Sequence, residues 1–153
     1  METMNPGPYD GLKIENQLCF PLYACARQVI RLYKPFLDKL DLTYTQYIAM
    51  MLLWDRRSMT SKEMGEILYL DSGTLTPMLK KMEAKGLLTR CRGTDDERNL
   101  VVTVTEAGME LREKAVEVPE RMAGCLKLQP EEAAELYRLL YGLLGRTGED
   151  DGE

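Results

Sequence analysis

Apolar residues recur at helical spacing through the first half of the 153-residue chain. From about 15 to 39 they occupy too many positions for one narrow stripe, so we expect a helix that is buried on more than one face, the second face being a subunit interface. A short core helix is predicted over 45–54. Thr60, with Glu63 three residues later, has the pattern of a capping box and predicts the start of another helix.

A further helix is predicted over 71–85, with one apolar and one polar face. Its apolar residues, spaced i, i+3, i+4 and i+7, are Leu75, Met78, Leu79 and Met82. Asp71 or Ser72 can cap the start of this helix. In a helix capped at Ser72, Pro77 removes one early backbone hydrogen bond, and it would be harmless only if the cap lay nearer Thr74. We expect one face to pack against the core and the other to be available for contacts.

After Gly86 the pattern changes from helical to extended. LLTRCR and LVVTVT are short segments, the second rich in valine, and the intervening residues GTDDERN are turn formers. They predict a two-stranded hairpin with a charged tip. Thr105 is expected to cap a helix that runs to about Leu126 with a bend at Pro119, and Pro130 is expected to open the last helix.

This order of elements predicts a mainly α fold with a small β-hairpin wing, the architecture of a winged helix-turn-helix flanked by dimerisation helices. A chain of this length also favours a single domain. The predicted boundaries are about 42–105 for the winged helix-turn-helix core, about 14–38 and 106–146 for the dimerisation helices, and 147–153 for a disordered acidic tail. Domains of this architecture bind DNA.

Composition narrows the chemistry available to the chain. It has no histidine, and its four cysteines lack CxxC spacing, so we expect neither a metal site nor a cofactor. Without histidine there is no Ser-His-Asp or Cys-His catalysis, and we expect the protein not to be an enzyme. No apolar run reaches the roughly 20 residues of a membrane helix. No secretion signal is evident either, so we expect a cytoplasmic protein without membrane contact.

The distribution of charge favours DNA binding more than its total does. The net charge is −5, but the acidic residues crowd the carboxyl terminus while basic residues cluster between 72 and 98. In the helix of 71–85, which would lie in the major groove, the expected DNA contacts are Ser72, Thr74, Thr76, Pro77, Lys80 and Lys81. In the wing they are Arg90, Arg92 and Arg98, with Asp96 orienting Arg98 in the minor groove. These residues could also form a solvated face, but the succession of capped helices and a charged hairpin favours DNA.

Several stretches resemble known DNA-binding regulators. DSGTLTPMLKKMEAKGLLTR, followed by DERN and VTVTEAG, resembles the multiple antibiotic resistance regulator (MarR) family of dimeric winged-helix repressors. ENQLCFPLYA, LYKPFLDKLDLTYTQYI and LYLDSGTLTP are similar to the organic hydroperoxide resistance regulators (OhrR) within that family. The resemblance covers nearly the whole chain. It implies a homodimer that binds double-stranded operator DNA and is released when an organic hydroperoxide oxidises Cys19, which derepresses a peroxide-detoxification gene.

Cys19 has a position that suits a redox sensor. Only the thiolate form of cysteine attacks a peroxide efficiently. Cys19 is expected in the first turn of a helix, near the positive end of its dipole, with Pro21 tolerated beside it. Tyrosine hydroxyls can donate hydrogen bonds to a thiolate, and the early part of the chain is rich in them: Tyr23, Tyr33, Tyr44 and Tyr47. The resemblance implies that Tyr33 and Tyr44 bond the cysteine across the dimer.

The other cysteines carry different expectations. Cys25 is expected to be an inert buried residue and Cys91 to be incidental. The resemblance implies two routes after Cys19 is oxidised. In one route Cys125 is a resolving cysteine that closes an intersubunit disulfide, and in the other a low-molecular-weight thiol caps the oxidised sulfur.

Two other functions are compatible with parts of this pattern. A MarR-type repressor that responds to a small phenolic or other ligand in the dimer cleft would have the same fold, and Cys19 would then line the pocket. A thiol peroxidase would use Cys19 catalytically, but such enzymes have a thioredoxin-like α/β fold, and the predicted strand content is too small for one. Operator binding separates a regulator from an enzyme.

Overall fold

The computed structural model describes residues 7–92 and 100–148. The chain divides into two compact units, one that ends at Val118 and one that begins at Pro119. The first unit contains the elements assigned from sequence to the winged core, together with the first helix. Most of the predicted acidic tail, residues 149–153, lies outside the described residues.

The described residues form seven α-helices and three β-strands. The helices are α1 Cys19–Asp38, α2 Tyr44–Arg56, α3 Ser61–Leu68, α4 Ser72–Ala84, α5 Glu106–Ala115, α6 Val118–Leu126 and α7 Pro130–Thr147. The strands are β1 Ser58–Thr60, β2 Leu88–Arg92 and β3 Leu100–Val104. Two 3-10 turns, Asp10–Leu12 and Ile14–Asn16, precede α1. The predicted mainly α fold class with a β-hairpin wing is confirmed.

Side-chain caps begin three helices of the first unit where the sequence predicts them. The Thr60 hydroxyl accepts a hydrogen bond from the Glu63 backbone N–H at 3.1 Å, and the Glu63 carboxylate accepts one from the Thr60 N–H at 3.3 Å. The predicted capping box is therefore confirmed. Asp71 accepts a hydrogen bond from the Thr74 N–H at 2.7 Å, and Thr105 caps α5 in the same way. Each such cap contributes about 1 kcal/mol to stability.

Pro77 lies inside α4, because the helix begins at Ser72. The proline therefore removes the backbone hydrogen bond that a residue with an N–H would make to the Gly73 carbonyl. The alternative start nearer Thr74, which would have made the proline harmless, is wrong. The helix begins earlier, at Ser72, because the Asp71 side chain accepts a hydrogen bond from the Thr74 N–H and caps the helix there.

The wing belongs to a three-stranded antiparallel sheet in the order β1-β3-β2. The predicted hairpin of β2 and β3 is confirmed, with Arg90 opposite Val102. The sequence analysis missed β1, because a strand this short has too few residues to show an alternating pattern. In β1, Met59 lies opposite Val102, and both side chains are buried. The central strand thus anchors the wing to the core.

The core of the first unit forms where α2, α3 and α4 meet the sheet. Its large, fully buried side chains include Met50, Leu53, Met64, Leu79, Met82, Leu88 and Val102. The apolar residues predicted for one face of α4 are all buried, which confirms that this face packs inward. Burying a side chain of this size stabilises a fold by about 1.5–3 kcal/mol relative to leaving it exposed.

The prediction of one continuous helix that starts at Thr105 and continues beyond Pro119 is wrong. A turn at 116–117 separates α5 from α6. Pro119 is the second residue of α6, where its missing N–H costs little, so it begins a new helix and does not bend an old one. The last helix opens at Pro130, as predicted, and extends through Thr147, one residue into the predicted tail.

Within the chain, α1 is exposed over most of its surface. Leu37 is its one buried residue, so a single chain covers α1 much less than expected. The apolar side chains that stay exposed are Leu18, Phe20, Leu22, Tyr23, Ile30 and Leu32. The subunit interface expected along this helix stays a prediction, and these residues are the surface on which it would form.

Candidate functional site

Cys19 is the first residue of α1, and its side chain is exposed. Leu18, the residue before it, provides no side-chain cap, and Pro21 is the third residue of the helix. The N–H groups of the first turn therefore lack a capping side chain, and the positive end of the helix dipole lies at Cys19. The prediction that Cys19 lies in the first turn is confirmed, although the helix begins at Cys19 and not near residue 15. The thiol lies where a helix stabilises an anion.

A cluster of aromatic rings lies where the second half of α1 packs against α2. The ring centroids of Tyr33 and Tyr44 are 4.9 Å apart, and those of Tyr33 and Tyr47 are 5.8 Å apart. Tyr47 in turn meets Trp54 edge to face at 6.2 Å. Aromatic pairs at such separations contribute about 0.5–1.5 kcal/mol beyond the area they bury. The fold therefore holds Tyr33 and Tyr44 in a defined arrangement, supported by Tyr47 and also by Trp54, a residue that the sequence did not single out.

The environment of this cluster raises the pKa of two of its tyrosines, Tyr33 and Tyr47. Burial, followed by the neighbouring Tyr44 and Tyr47, raises the pKa of Tyr33 from its ordinary value of 10.0 to about 12. Burial also raises the pKa of Tyr47, and Tyr44 adds to that effect. A phenol with a raised pKa keeps its proton at neutral pH and is a hydrogen-bond donor. Tyr33 can therefore donate a hydrogen bond to an anion that reaches it.

Cys19 and the tyrosine cluster lie toward opposite ends of α1. At the α-helical rise of about 1.5 Å per residue, the helix separates Cys19 from Tyr33 by about 21 Å. A single chain therefore does not bring the thiol to Tyr33. Since the rings of Tyr33 and Tyr44 are in contact, Tyr44 is equally remote from the thiol.

Tyr23 lies one helical turn after Cys19, on the same side of α1. Its hydroxyl oxygen accepts a hydrogen bond from Arg27 Nη1 at 3.2 Å, and the guanidinium lies 5.5 Å from the centre of the ring. Because the hydroxyl accepts in this bond, its own proton is available for donation. Tyr23 is thus the one predicted tyrosine that the chain itself places near the thiol.

The remaining cysteines are free thiols in three different elements. Cys25 is exposed on α1, so the expectation that it is buried is wrong; the chain covers too little of this helix. Cys91 is exposed on β2. Cys125 is half-buried in α6, and its pairing with Cys19 stays a prediction.

The second helix of the helix-turn-helix is α4, and the residues predicted to contact DNA lie outside its buried face. Those that are exposed are Ser72, Thr74, Pro77, Lys80 and Lys81. Thr76 is half-buried. Short hydroxyl side chains and lysines can donate hydrogen bonds to phosphates and base edges, so this face has the chemistry of a DNA-reading helix.

Contacts at both ends position α4, and the sequence analysis missed them. A Cβ on Gly65 would come within 2.8 Å of the Leu70 carbonyl oxygen, so the turn between α3 and α4 requires glycine there. In the same turn Tyr69 adopts the left-handed conformation, with φ 56°. Beyond the other end of α4, Lys85 Nζ donates a hydrogen bond to the Asp41 carbonyl oxygen. A glycine inside a predicted helix was the available signal for the first contact.

Arg90 and Arg92 have different surroundings in β2. Arg90 pairs with Glu83 of α4: its Nη2 and Nε lie 3.1 and 3.3 Å from Glu83 Oε1, and its backbone N–H donates to Oε2 at 2.8 Å. The side-chain hydrogen bonds from Arg90, and then its N–H, hold the pKa of Glu83 below its usual range. Arg92 is exposed at the end of the strand. Asp96 and Arg98, predicted at the tip of the wing, lie outside the described residues.

The structure describes residues 7–92 and 100–148. No group of three or more cysteine, aspartate or glutamate side chains in that part of the chain is arranged to hold a metal ion. None of the helices described there is both long and apolar enough to cross a membrane.

The chain is similar to known transcription regulators over most of its length. Residues 31–115 match the family model of the transcriptional regulator SarA/Rot. The organic hydroperoxide resistance transcriptional regulator of Bacillus subtilis (strain 168) is 53% identical to the chain over 136 residues. That alignment covers 89% of this chain and 92% of the relative.

The fold is also similar to that of AbfR from Staphylococcus epidermidis. Structures of AbfR bound to DNA, one reduced and one overoxidized, align with a TM-score of 0.73 and 32% identity, over 92% of this chain and 99% of theirs. The structure of disulfide-formed AbfR aligns with a TM-score of 0.60 and 33% identity, over 92% of this chain and 95% of that one. The chain therefore resembles the DNA-bound structures more than the disulfide form.

Proposed function

Because the chain belongs to the organic hydroperoxide resistance regulators of the MarR family, we propose that it is a redox-sensing transcriptional repressor that acts in the cytoplasm. It binds double-stranded operator DNA as a homodimer. It is released when an organic hydroperoxide oxidises Cys19, and this release derepresses a gene for peroxide detoxification.

The separation of Cys19 from Tyr33 is the observation that carries this proposal. The thiol lies at the amino end of α1, and the protonated Tyr33 hydroxyl lies about 21 Å along the same helix. If the α1 helices of two protomers pack antiparallel, Cys19 of one protomer meets the partner's Tyr33 and the partner's Tyr44. The dimer then contains two sensing sites, and a monomer contains none.

The exposed apolar residues of α1 support such a dimer. Leu18, Phe20 and Leu22 surround Cys19 in the sequence, and they are 82%, 48% and 42% exposed in the chain. Contiguous exposed apolar surface of this kind marks a protein interface. Once a partner covers it, the same side chains form apolar surroundings for the thiol, which suit an organic hydroperoxide better than hydrogen peroxide.

The reaction at Cys19 is a two-electron oxidation of sulfur. The thiolate attacks one oxygen of the peroxide, the O–O bond breaks, and an S–O bond forms. The sulfur becomes a sulfenic acid, and the leaving alkoxide takes up a proton to become an alcohol. Hydrogen bonds donated by Tyr33, Tyr44 and Tyr23 stabilise the thiolate before the reaction. They weaken afterwards, because the sulfur no longer carries a charge.

A second thiol then condenses with the sulfenic acid and releases water. We assign this role to Cys125, which gives a disulfide between subunits; a low-molecular-weight thiol, which gives a mixed disulfide, is the alternative. AbfR supports the importance of this second step, because it has been solved bound to DNA when overoxidized and separately with a disulfide formed. An overoxidized state is thus compatible with DNA binding in AbfR, and we assign release of this protein to the disulfide.

In the reduced dimer the α4 helices of the two protomers enter successive major grooves of a pseudo-palindromic operator. The reading residues of each are Ser72, Thr74, Thr76, Pro77, Lys80 and Lys81. From the wing, the proposed contacts are Arg90, Arg92 and Arg98, with Asp96 orienting Arg98. A change in the spacing of the two helices that removes about 4 kcal/mol of contacts lowers affinity about a thousandfold, which is enough for a switch.

Operator binding in two redox states tests this function. The operator is a duplex that the reduced full-length protein selects from a random library, and its Kd is measured before and after treatment with an organic hydroperoxide. We expect sequence-specific binding by the reduced protein and a loss of about a thousandfold on oxidation, which Cys19→Ser does not show. Failure to select any sequence would refute DNA binding. Retained binding after Cys19 has been fully converted to a disulfide would refute redox sensing and favour the small-ligand repressor.

A further inference from the structure

The contact between Glu83 and Arg90 joins the predicted DNA-reading helix to the wing. Glu83 lies near the carboxyl end of α4, one turn after Lys80, and Arg90 is the third residue of β2. Two side-chain nitrogens of Arg90 donate to one carboxylate oxygen of Glu83, at 3.1 and 3.3 Å, and the Arg90 backbone N–H donates to the other oxygen at 2.8 Å. Because both oxygens are used, the pair fixes the orientation of the strand as well as its distance from the helix.

The hydrogen bond from the Arg90 backbone N–H to the Glu83 carboxylate attaches β2 itself to α4. β2 is an outer strand of the described sheet, whose order is β1-β3-β2. The Arg90 N–H that donates to Glu83 is on the open edge of that strand, where a partner in the sheet is missing. The carboxylate therefore satisfies a backbone donor and a guanidinium together, and an uncharged side chain at position 83 would weaken both contacts.

The side chain of Arg90 is turned toward the helix. Side chains alternate between the two faces of a strand, so Leu88, Arg90 and Arg92 share one face. Leu88 is 1% exposed, and the side chain of Arg90 is 18% exposed. Exposure on this face thus rises toward the end of β2, where Arg92 is exposed. Arg90 is held against α4, and Arg92 is the residue free to reach DNA.

We propose that Glu83 and Arg90 are positioning residues that fix the angle between α4 and the wing, so that both fit their grooves on one operator. This inference rests on the proposed operator binding and changes the predicted role of Arg90 from a DNA contact to the support of one. It also predicts the direction in which operator affinity changes when the acidic charge of Glu83 is removed. Removing an acidic charge beside a DNA-binding surface strengthens binding if electrostatics alone decides, whereas loss of this pair weakens it.

The test compares Glu83→Gln with Glu66→Gln in the reduced full-length protein. Glu66 is exposed on the neighbouring α3 and serves as the matched control for loss of one acidic charge. We expect E83Q to lose about tenfold in operator affinity, which is about 1.4 kcal/mol, and E66Q to bind as well as the wild type or better. Wild-type or tighter binding by E83Q would overturn the proposal.

Salt dependence separates a positioning role from a direct phosphate contact. The slope of log Kd against log salt concentration falls by about 0.9 for each phosphate contact that is lost. We expect E83Q to keep the wild-type slope, and Arg92→Gln to give a shallower one. A shallower slope in E83Q would mean that the pair does not act through position alone, and would contradict the proposal.

Arg90→Lys provides a second variant, which decides the question if E83Q does not fold. Lysine keeps the positive charge but lacks the planar fork of arginine. We expect R90K to lose affinity with an unchanged salt slope, and wild-type affinity in R90K would overturn the proposal. If the reduced wild-type protein selects no operator at all, the proposed function has failed, so the two failures are distinguishable.

Discussion

The rings of Tyr33 and Tyr44 lie 4.9 Å apart, although Tyr33 belongs to α1 and Tyr44 begins α2. The fold of one chain therefore builds the pair of hydroxyl donors in advance. The same fold keeps Cys19 at the far end of α1, about 21 Å from Tyr33. One chain thus supplies both halves of a thiolate site without joining them.

Tyr44→Phe is expected to slow the reaction of Cys19 with an organic hydroperoxide about tenfold at neutral pH. The hydroxyl donates to the thiolate, and a hydrogen bond to a charged group is worth about 1.5–3 kcal/mol. Stopped-flow mixing with detection of sulfenic acid gives the rate. Tyr141→Phe, on the exposed side of α7, is the control and should react at the wild-type rate. Equal rates in the two variants would exclude Tyr44 from the site.

The raised pKa of Tyr33 predicts a loss of stability in alkaline solution. Unfolding lets the tyrosine titrate at its ordinary value of 10.0, whereas in the folded chain it titrates at about 12. The stabilisation of the folded chain by Tyr33 is therefore fully present below pH 10. It is lost as the pH rises through the pKa that Tyr33 has in the folded chain. We expect the urea midpoint of the wild type to fall more over this interval than that of Tyr33→Phe. Parallel curves would show that Tyr33 is not the group responsible.

Cys125→Ser is expected to abolish covalent linkage between subunits after treatment with an organic hydroperoxide. The sulfenic acid at Cys19 then persists or is capped by an added small thiol, because its resolving partner is missing. Intact mass under non-reducing conditions reports both products. Cys25→Ser, another exposed thiol on α1, should leave linkage unchanged. Linked subunits in Cys125→Ser would assign the disulfide to a different cysteine.

Gly108→Ala is expected to destabilise the first unit by about 2–4 kcal/mol. A Cβ at this position would collide with the Leu87 carbonyl oxygen and come within 2.8 Å of Val104 Cγ2. It would also disturb the 2.8 Å hydrogen bond that Trp54 Nε1 donates to the Gly108 carbonyl. Urea unfolding followed by the fluorescence of Trp54, the one tryptophan, gives the free energy.

Gly124→Ala is the matched control for that substitution. A Cβ on Gly124 meets nothing within 4 Å, and the residue is inside α6. Alanine there should stabilise the protein by about 0.5–1 kcal/mol through its helix propensity. If both alanine variants changed the free energy of unfolding alike, the close contacts of Gly108 with Leu87 and Val104 would not be the reason that position 108 requires glycine.

Local patterns made most of the fold predictable. The capping box of Thr60 with Glu63 and the apolar spacing of Leu75 to Met82 depend on residues within two turns of one another, so the sequence contains the whole signal. The break at 116–117 was predicted only as a bend, because Pro119, which marks it two residues later, is compatible with a bent helix as well as with the start of a new one. β1 was missed for a different reason, since it is a strand only because β3 lies beside it.

The candidate site was predictable as a list of residues but not as an arrangement. Cys19 stands out by its position before a proline, and Tyr33 and Tyr44 enter through the resemblance to a known family. The separation of Cys19 from Tyr33 follows from the predicted helix over 15–39, whereas the contact that places Tyr44 of α2 beside Tyr33 comes from the structure. The pairing of Arg90 with Glu83 joins a strand to a helix, and no local pattern distinguishes a paired arginine from one that is free to contact DNA.

A mixed dimer tests the central claim most directly, by asking whether Cys19 and its tyrosine donors come from different protomers. One protomer carries Cys19→Ser, the other carries Tyr33→Phe with Tyr44→Phe, and two affinity tags isolate the heterodimer. The one remaining Cys19 then has intact tyrosines only across the interface. The account predicts that it reacts with an organic hydroperoxide at the wild-type rate. Reaction at the slow rate of the Tyr33→Phe, Tyr44→Phe homodimer would contradict a site shared between subunits.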